Sequence, residues 1–134
     1  MAASSYEVIE GVARFRLTGP QVLRDAVLEV ADAIVRTKDL GLSKLLVDIS
    51  TITGVETPSL DTRFWLMGVW AHAGRSAVRV ALVTRPEFVR ADRIGVVVGL
   101  NQGFVSDVFE TETQALDWLL ERYDRGRSPS PPPA

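Results

Sequence analysis

The chain has 134 residues, 46% of them hydrophobic, with no cysteine, one histidine and a formal net charge of −2 at pH 7. That length suits a single domain with a real core and leaves no room for two. The lack of cysteine excludes disulfides, thiolate metal sites and cysteine nucleophiles, and the near balance of charge argues against a general nucleic-acid binder, which needs a phosphate-neutralising surface.

The N-terminus carries no basic start followed by an apolar run of signal-peptide length, and no later stretch approaches a membrane span. The expectation is a cytoplasmic protein with no integral membrane segment. Tyr6–Glu10 and Val12–Thr18 read as two short strands around Gly11, because Ala13, Phe15 and Leu17 alternate with Val12, Arg14 and Arg16. After Gly19-Pro20 the period becomes helical: Val22, Leu23, Ala26, Val27, Val30, Ile34 and Val35 form a stripe that should end near Gly41.

Lys44–Ile49 is a compact apolar strand, and the polar stretch Ser50–Glu56 leads to Thr57-Pro58. There threonine can cap a helix that proline starts, running to about Ala73. Val78–Val83 is the next strand, and Pro86 again marks a helix start. The segment 88–101 has the length and place of a helix, although Ile94-Gly-Val-Val-Val98 has strand-like composition. Phe104–Phe109 reads as the fifth strand. Thr111-Glu-Thr-Gln114 has capping-box spacing ahead of a last helix containing Ala115, Leu116, Trp118, Leu119 and Leu120.

The order is therefore ββαβαβαβα: an α/β fold with a five-stranded, mainly parallel sheet, an N-terminal β-hairpin and right-handed crossovers. Arg14, Arg16, Lys44, Asp48 and Arg79 fall on alternate strand positions, which places helices mostly on one face of the sheet. One domain is expected over residues 1–125. The tail 126–134, Gly-Arg-Ser-Pro-Ser-Pro-Pro-Pro-Ala but for its first two residues a proline and serine run, is expected to be disordered because it has nothing to bury.

This order, with Leu46-Val-Asp-Ile-Ser-Thr-Ile-Thr-Gly-Val-Glu-Thr-Pro-Ser-Leu60 and Val108-Phe-Glu-Thr-Glu-Thr-Gln-Ala-Leu-Asp-Trp-Leu119, resembles the STAS domain superfamily in its SpoIIAA-like branch. The likeness covers about residues 6–122 and is one of pattern. It implies a binding fold, shared by anti-sigma-factor antagonists and tails of anion transporters and related to lipid-binding CRAL-TRIO domains. In the antagonists a strand ending like Val47-Asp-Ile-Ser50 is followed by an Asp-Ser-Ser-Gly turn whose first serine is phosphorylated. Here the turn is Glu56-Thr57-Pro58-Ser59, so the resemblance puts Thr57 at the phosphoacceptor position while Ser59 replaces the glycine.

No phosphate loop, dinucleotide fingerprint or His-Glu-x-x-His occurs, and His72 has no acid at ligand spacing, so no metal or cofactor is expected. A hydrolase would need a nucleophile beside a base, and His72 is the sole conventional base; an enzyme built on Asp48, Thr57 and Arg85 is the least favoured reading. Open α/β sheets bind ligands at the carboxyl ends of their strands. Asp48, Ser50, Thr53, Thr84, Arg85 and Arg90 therefore mark a candidate anion or ligand edge.

Phe64-Trp-Leu-Met-Gly-Val-Trp70 is apolar around nearly its whole helical circumference, which signals burial on more than one side. A neighbouring helix, a partner subunit or an acyl chain would satisfy it. The favoured function is a non-enzymatic interaction or regulatory module that self-associates as a homodimer, or binds a protein partner, through Phe64, Trp65, Leu66, Val69 and Trp70. The alternative is a carrier of a small apolar or amphipathic, lipid-like ligand held between the second and third helices.

Overall fold

The computed structural model describes residues 2–86, 88, 96–97 and 99–121. Arg90, most of the segment 88–98 and the tail 126–134 lie outside the described residues. The first two strands, β1 (Ala3–Ile9) and β2 (Val12–Pro20), form the expected hairpin. Its two-residue loop places Glu10 and Gly11 at φ 52° and 82°, the left-handed pair that matches the twist of the flanking strands.

Helix α1 (Leu23–Asp39) starts one residue later than its apolar stripe implied. Val22 is the N-cap, is 64% exposed and lies off the buried face, as does the exposed Val35. The buried face is instead Ala26, Val27, Val30, Ala31, Ala33, Ile34 and Thr37. Thr37 is tolerated there because its hydroxyl donates to the Ala33 carbonyl at 2.8 Å and meets the Tyr6 hydroxyl at 2.9 Å.

Strand β3 (Lys44–Thr53) runs four residues beyond the expected end, paired through Thr53 with the end of β2. Polar composition after Ile49 concealed this extension. Helix α2 (Leu60–Gly74) begins after Ser59, not after Thr57. The Ser59 hydroxyl accepts the Thr62 N–H at 3.2 Å and is the N-cap; Thr57 lies exposed in the preceding loop. Strand β4 (Arg79–Val83) follows. The described residues of the next segment, 86, 88, 96, 97 and 99–101, are helical. Strand β5 (Ser106–Phe109) and helix α3 (Glu112–Leu119) are the last elements among the described residues. The cap expected at α3 forms at Thr111, whose hydroxyl accepts the Gln114 N–H at 3.1 Å, while the Gln114 side-chain oxygen Oε1 reaches back one residue further and accepts the Glu110 N–H at 3.2 Å.

The strand order is β1-β2-β3-β4-β5, antiparallel in the first pair and parallel in the rest. Residue rows across the sheet assign each face. Phe15, Val47, Leu82 and Val108 form one row, and Phe15, Val47 and Leu82 share a core with α1 and α2. Arg16, Asp48, Val83 and Phe109 form the adjacent row on the opposite face. There Val12, Leu46, Ala81 and Val83 pack with Ala115 and Leu119 of α3. Helices thus lie mostly on one face, and α3 covers part of the other.

Candidate functional site

Helix α2 is apolar all round because it is packed on one flank and bare on another. Arg63, Leu66, Met67, Trp70, Ala73 and Gly74 are buried, the i, i+3, i+4, i+7 spacing of one helical face. Trp70 is core: its Nε1–H donates to the Val27 carbonyl at 3.0 Å, tying α2 to α1, and its ring lies 6.3 Å from that of Phe104. Leu66 is likewise turned inward. These two positions of the expected interface are therefore unavailable to a partner, and Val69 is half-buried. Phe64 and Trp65 keep that expectation open, at 51% and 42% exposure, and Leu60 at 52% joins them.

Between the first sheet face, α1, α2 and the helical segment after β4 lies an apolar cavity of about 100 Å³. Val27 and Val30 of α1, Leu66, Met67 and Trp70 of α2, Val80 and Leu82 of β4, and Phe104 line it. The chain after β4 comes close to α2 here: a methyl group at Gly99 would stand 3.1 Å from the Met67 sulfur and from the Phe104 ring. Polar groups enter at the carboxyl ends of β3 and β4, where Glu56, Thr84 and Arg85 join the lining, with Arg63 from the first turn of α2. Thr84 is 3% exposed, and the Arg85 guanidinium lies 4.8 Å from the centre of the Phe88 ring.

The expected ligand edge is thus divided by the sheet. Thr84 and Arg85 border the cavity, whereas Asp48 belongs to the row of Arg16 on the opposite face. Asp48 Oδ1 accepts the Ser50 N–H at 2.9 Å and the Ser50 hydroxyl at 2.6 Å. Thr53 is exposed, its carbonyl accepting the Gln21 N–H at 2.9 Å. Of the trio Asp48, Thr57 and Arg85, the sheet thus separates Asp48 from Arg85, and Thr57 is exposed in the loop before α2. Among the described residues no group of three His, Asp or Glu could hold a metal ion, and no helix is long and apolar enough to cross a membrane.

On the second face the Arg16 guanidinium grips Glu112 at the start of α3, Nε to Oε2 at 2.8 Å and Nη2 to Oε1 at 2.7 Å. Glu7 approaches the same guanidinium at 3.6 Å. The Arg16 hydrogen bonds, then one from Asp48, pull the Glu112 carboxyl down to about 2. Burial, followed by the hydrogen bond to Glu112, pushes the Asp48 carboxyl up.

Arg63 and Glu112 were not singled out from the sequence. Arg63 could have been found, because it occupies the first place of the 63, 66, 67, 70 series in which an apolar residue was due. Glu112 could not, because its partner lies 96 positions away and no local pattern joins them.

No protein-family model matches the chain, and no curated protein matches it. Its fold is similar to that of several solved structures, two of which follow. An anti-sigma factor antagonist from Mycobacterium paratuberculosis is 19% identical, with 90% of this chain and 95% of that chain covered and a TM-score of 0.58. An uncharacterized protein with a SpoIIAA-like fold from Shewanella loihica PV-4 is 22% identical over 88% of this chain and 93% of that one, with a TM-score of 0.50. The chain has the SpoIIAA-like fold.

Proposed function

We propose that the chain is a non-enzymatic regulatory module that binds a protein partner through the outer flank of α2, a second copy being the simplest such partner. The observation that supports this reading is the exposure of Leu60, Phe64 and Trp65 on a helix whose other flank is packed. Residues 60 and 64 are neighbours on a helix surface, and 65 lies about 100° further round the same exposed side. Contiguous apolar patches of this kind mark interaction sites. The fold is that of a protein described as an anti-sigma factor antagonist, which acts on another protein by that description.

The test is the Phe64→Asp, Trp65→Asp double variant. It should stay folded and lose association, read by light scattering over a concentration series and by co-purification with partner proteins. Unchanged association in both assays would remove the α2 flank from the function.

The cavity supports a second reading, a carrier of a small apolar ligand. Apolar cavities of about 150 Å³ stay dry and take up molecules the size of benzene, so about 100 Å³ suits a ring or a short acyl chain. Native mass spectrometry of the purified protein should then show a retained mass, or a thermal shift with benzene-sized probes that Leu82→Trp abolishes. Neither effect in a folded protein would leave the cavity as a packing gap.

A further inference from the structure

The cavity between α1, α2 and the sheet has one polar end. Val80, Leu82 and Thr84 come at every second residue of β4 and its end, and all three line the cavity as a floor. That floor runs about 13 Å, four residues at about 3.3 Å each, from an apolar inner end to Thr84 at the carboxyl edge of the sheet. Arg63, in the first turn of α2, and Arg85 line the cavity with Thr84. Arg63 is 7% exposed and shares the inward face of α2 with Leu66, Met67 and Trp70, which line the cavity with it. Packing alone would put an apolar residue there. Arg85 is half-buried, its guanidinium set against the Phe88 ring.

Two acids complete the charged lining among the described residues. Glu56 is exposed in the loop before α2. Asp107 is in register with Ala81, which packs with α3 on the opposite face, and its Oδ1 accepts the Val108 N–H at 2.7 Å. Two arginines against one exposed glutamate leave this end of the cavity positive.

We infer that the cavity takes an amphipathic monocarboxylate: a short acyl or aryl tail along the Val80–Thr84 floor, its carboxylate at the end formed by Arg63, Thr84 and Arg85. This rests on the cavity being a ligand site and is independent of the α2 flank. A guanidinium is permanently charged and presents five N–H donors, so each arginine can keep its contacts within the protein and still hold a ligand oxygen. Its planar fork matches a carboxylate. Beside apolar walls that attraction is screened far less than at the surface. A monoanion balances the single surplus charge, and the carboxyl edge is where open α/β sheets bind their ligands. A volume of about 100 Å³ keeps the tail short.

The experiment is an amide NMR titration of the full chain at pH 7 with hexanoate, hexan-1-ol and hexylammonium, which share a tail and differ in head group. The amides of Leu66, Val80 and Thr84 should shift. Hexanoate should bind at least about tenfold more tightly than hexan-1-ol, the worth of a charge-assisted hydrogen bond, with hexylammonium weakest. Arg63→Met keeps an unbranched apolar stem and should bring hexanoate to within about threefold of hexan-1-ol, whose own affinity should hold. The comparison of head groups on the wild type stands even if this variant fails to fold. Leu82→Trp, which fills the cavity, should abolish binding of all three. A wild type that binds hexan-1-ol or hexylammonium as tightly as hexanoate overturns the carboxylate class and leaves an apolar ligand site in place. Binding of none of the three overturns both. A preference for hexanoate that persists in both Arg63→Met and Arg85→Met, or that survives Leu82→Trp, puts the anion elsewhere and equally overturns the proposal.

Discussion

Arg16 of β2 and Glu112 of α3 are 96 positions apart in the chain and form a two-pronged ion pair, with N···O distances of 2.8 and 2.7 Å. This fork fastens the start of α3 to the sheet. It holds the Glu112 carboxyl at about 2, below its ordinary 4.5. A carboxyl depressed on folding contributes stability that is complete above the unfolded value and is lost as pH falls through the folded one. The wild type should therefore lose stability between about pH 4.5 and 2 through this group. Glu112→Gln should be about 1–2 kcal/mol less stable at neutral pH, a figure reduced for the pair's partial exposure, and should show a flatter acid limb. Urea midpoints across that range decide it, and parallel curves for the two proteins would show that the fork contributes nothing.

Asp48 carries the opposite sign. Its carboxyl is raised, first by burial and then by the hydrogen bond to Glu112. A raised acid contributes stability that is present below its unfolded value, 3.8, and is lost as pH rises through the folded one. Asparagine donates the same hydrogen bond at every pH and still accepts from Ser50. Asp48→Asn should be more stable than wild type at pH 7 by about 1 kcal/mol, the difference shrinking as pH is lowered through the carboxylate range. A variant less stable at pH 7 would mean that the negative charge of Asp48, set beside Arg16, matters more than its proton.

The sequence was most legible where the apolar period and the turn chemistry agree. Alternation in Val12–Leu17 and the glycine of the two-residue loop announced the hairpin, and Thr111 with Gln114 announced α3. Legibility failed where tertiary pairing overrode composition. Ser50–Thr53 looked like a loop, but the parallel pairing with Thr18–Pro20 extends β3 through it. The all-apolar α2 signalled burial without indicating which flank, since that is set by where α1, Phe104 and the chain after β4 lie. The division of the ligand edge was also hidden, because Asp48 and Thr84 both follow apolar strand residues and only the sheet register separates their faces.

Ser59 and Thr57 give a direct comparison. Ser59 caps α2 through the Thr62 N–H, while Thr57 is exposed and outside the helix. Ser59→Ala should cost about 1 kcal/mol, the usual loss of a side-chain cap. Thr57→Ala should stay within about 0.5 kcal/mol of wild type, as for surface positions away from such features. Thermal denaturation of both variants tests this, and a larger loss for Thr57→Ala would restore the threonine as the cap. The exposure of Thr57 leaves it accessible to a kinase.

Trp65 and Trp70 lie five residues apart on α2 with opposite surroundings. Trp65 is 42% exposed; Trp70 is 6% exposed, with its indole N–H spent on the Val27 carbonyl. An aspartate at position 70 would empty the space between α1 and α2 and leave a carboxylate where solvent is excluded. Loss of a buried aromatic side chain alone costs about 3–5 kcal/mol, and an unpaired buried charge adds to it. That sum is comparable to the whole stability of many small domains, so Trp70→Asp should be unfolded or nearly so. Trp70→Phe keeps most of the volume but loses the indole hydrogen bond and should cost about 1–2 kcal/mol. Trp65→Asp should remain folded and lose about 1–2 kcal/mol, through the covered part of the ring and the poorer helix propensity of aspartate. Near-ultraviolet circular dichroism and urea midpoints separate the cases. A folded Trp70→Asp would mean that α2 can turn its tryptophan outward, and the assignment of its packed and bare flanks would have to be reversed.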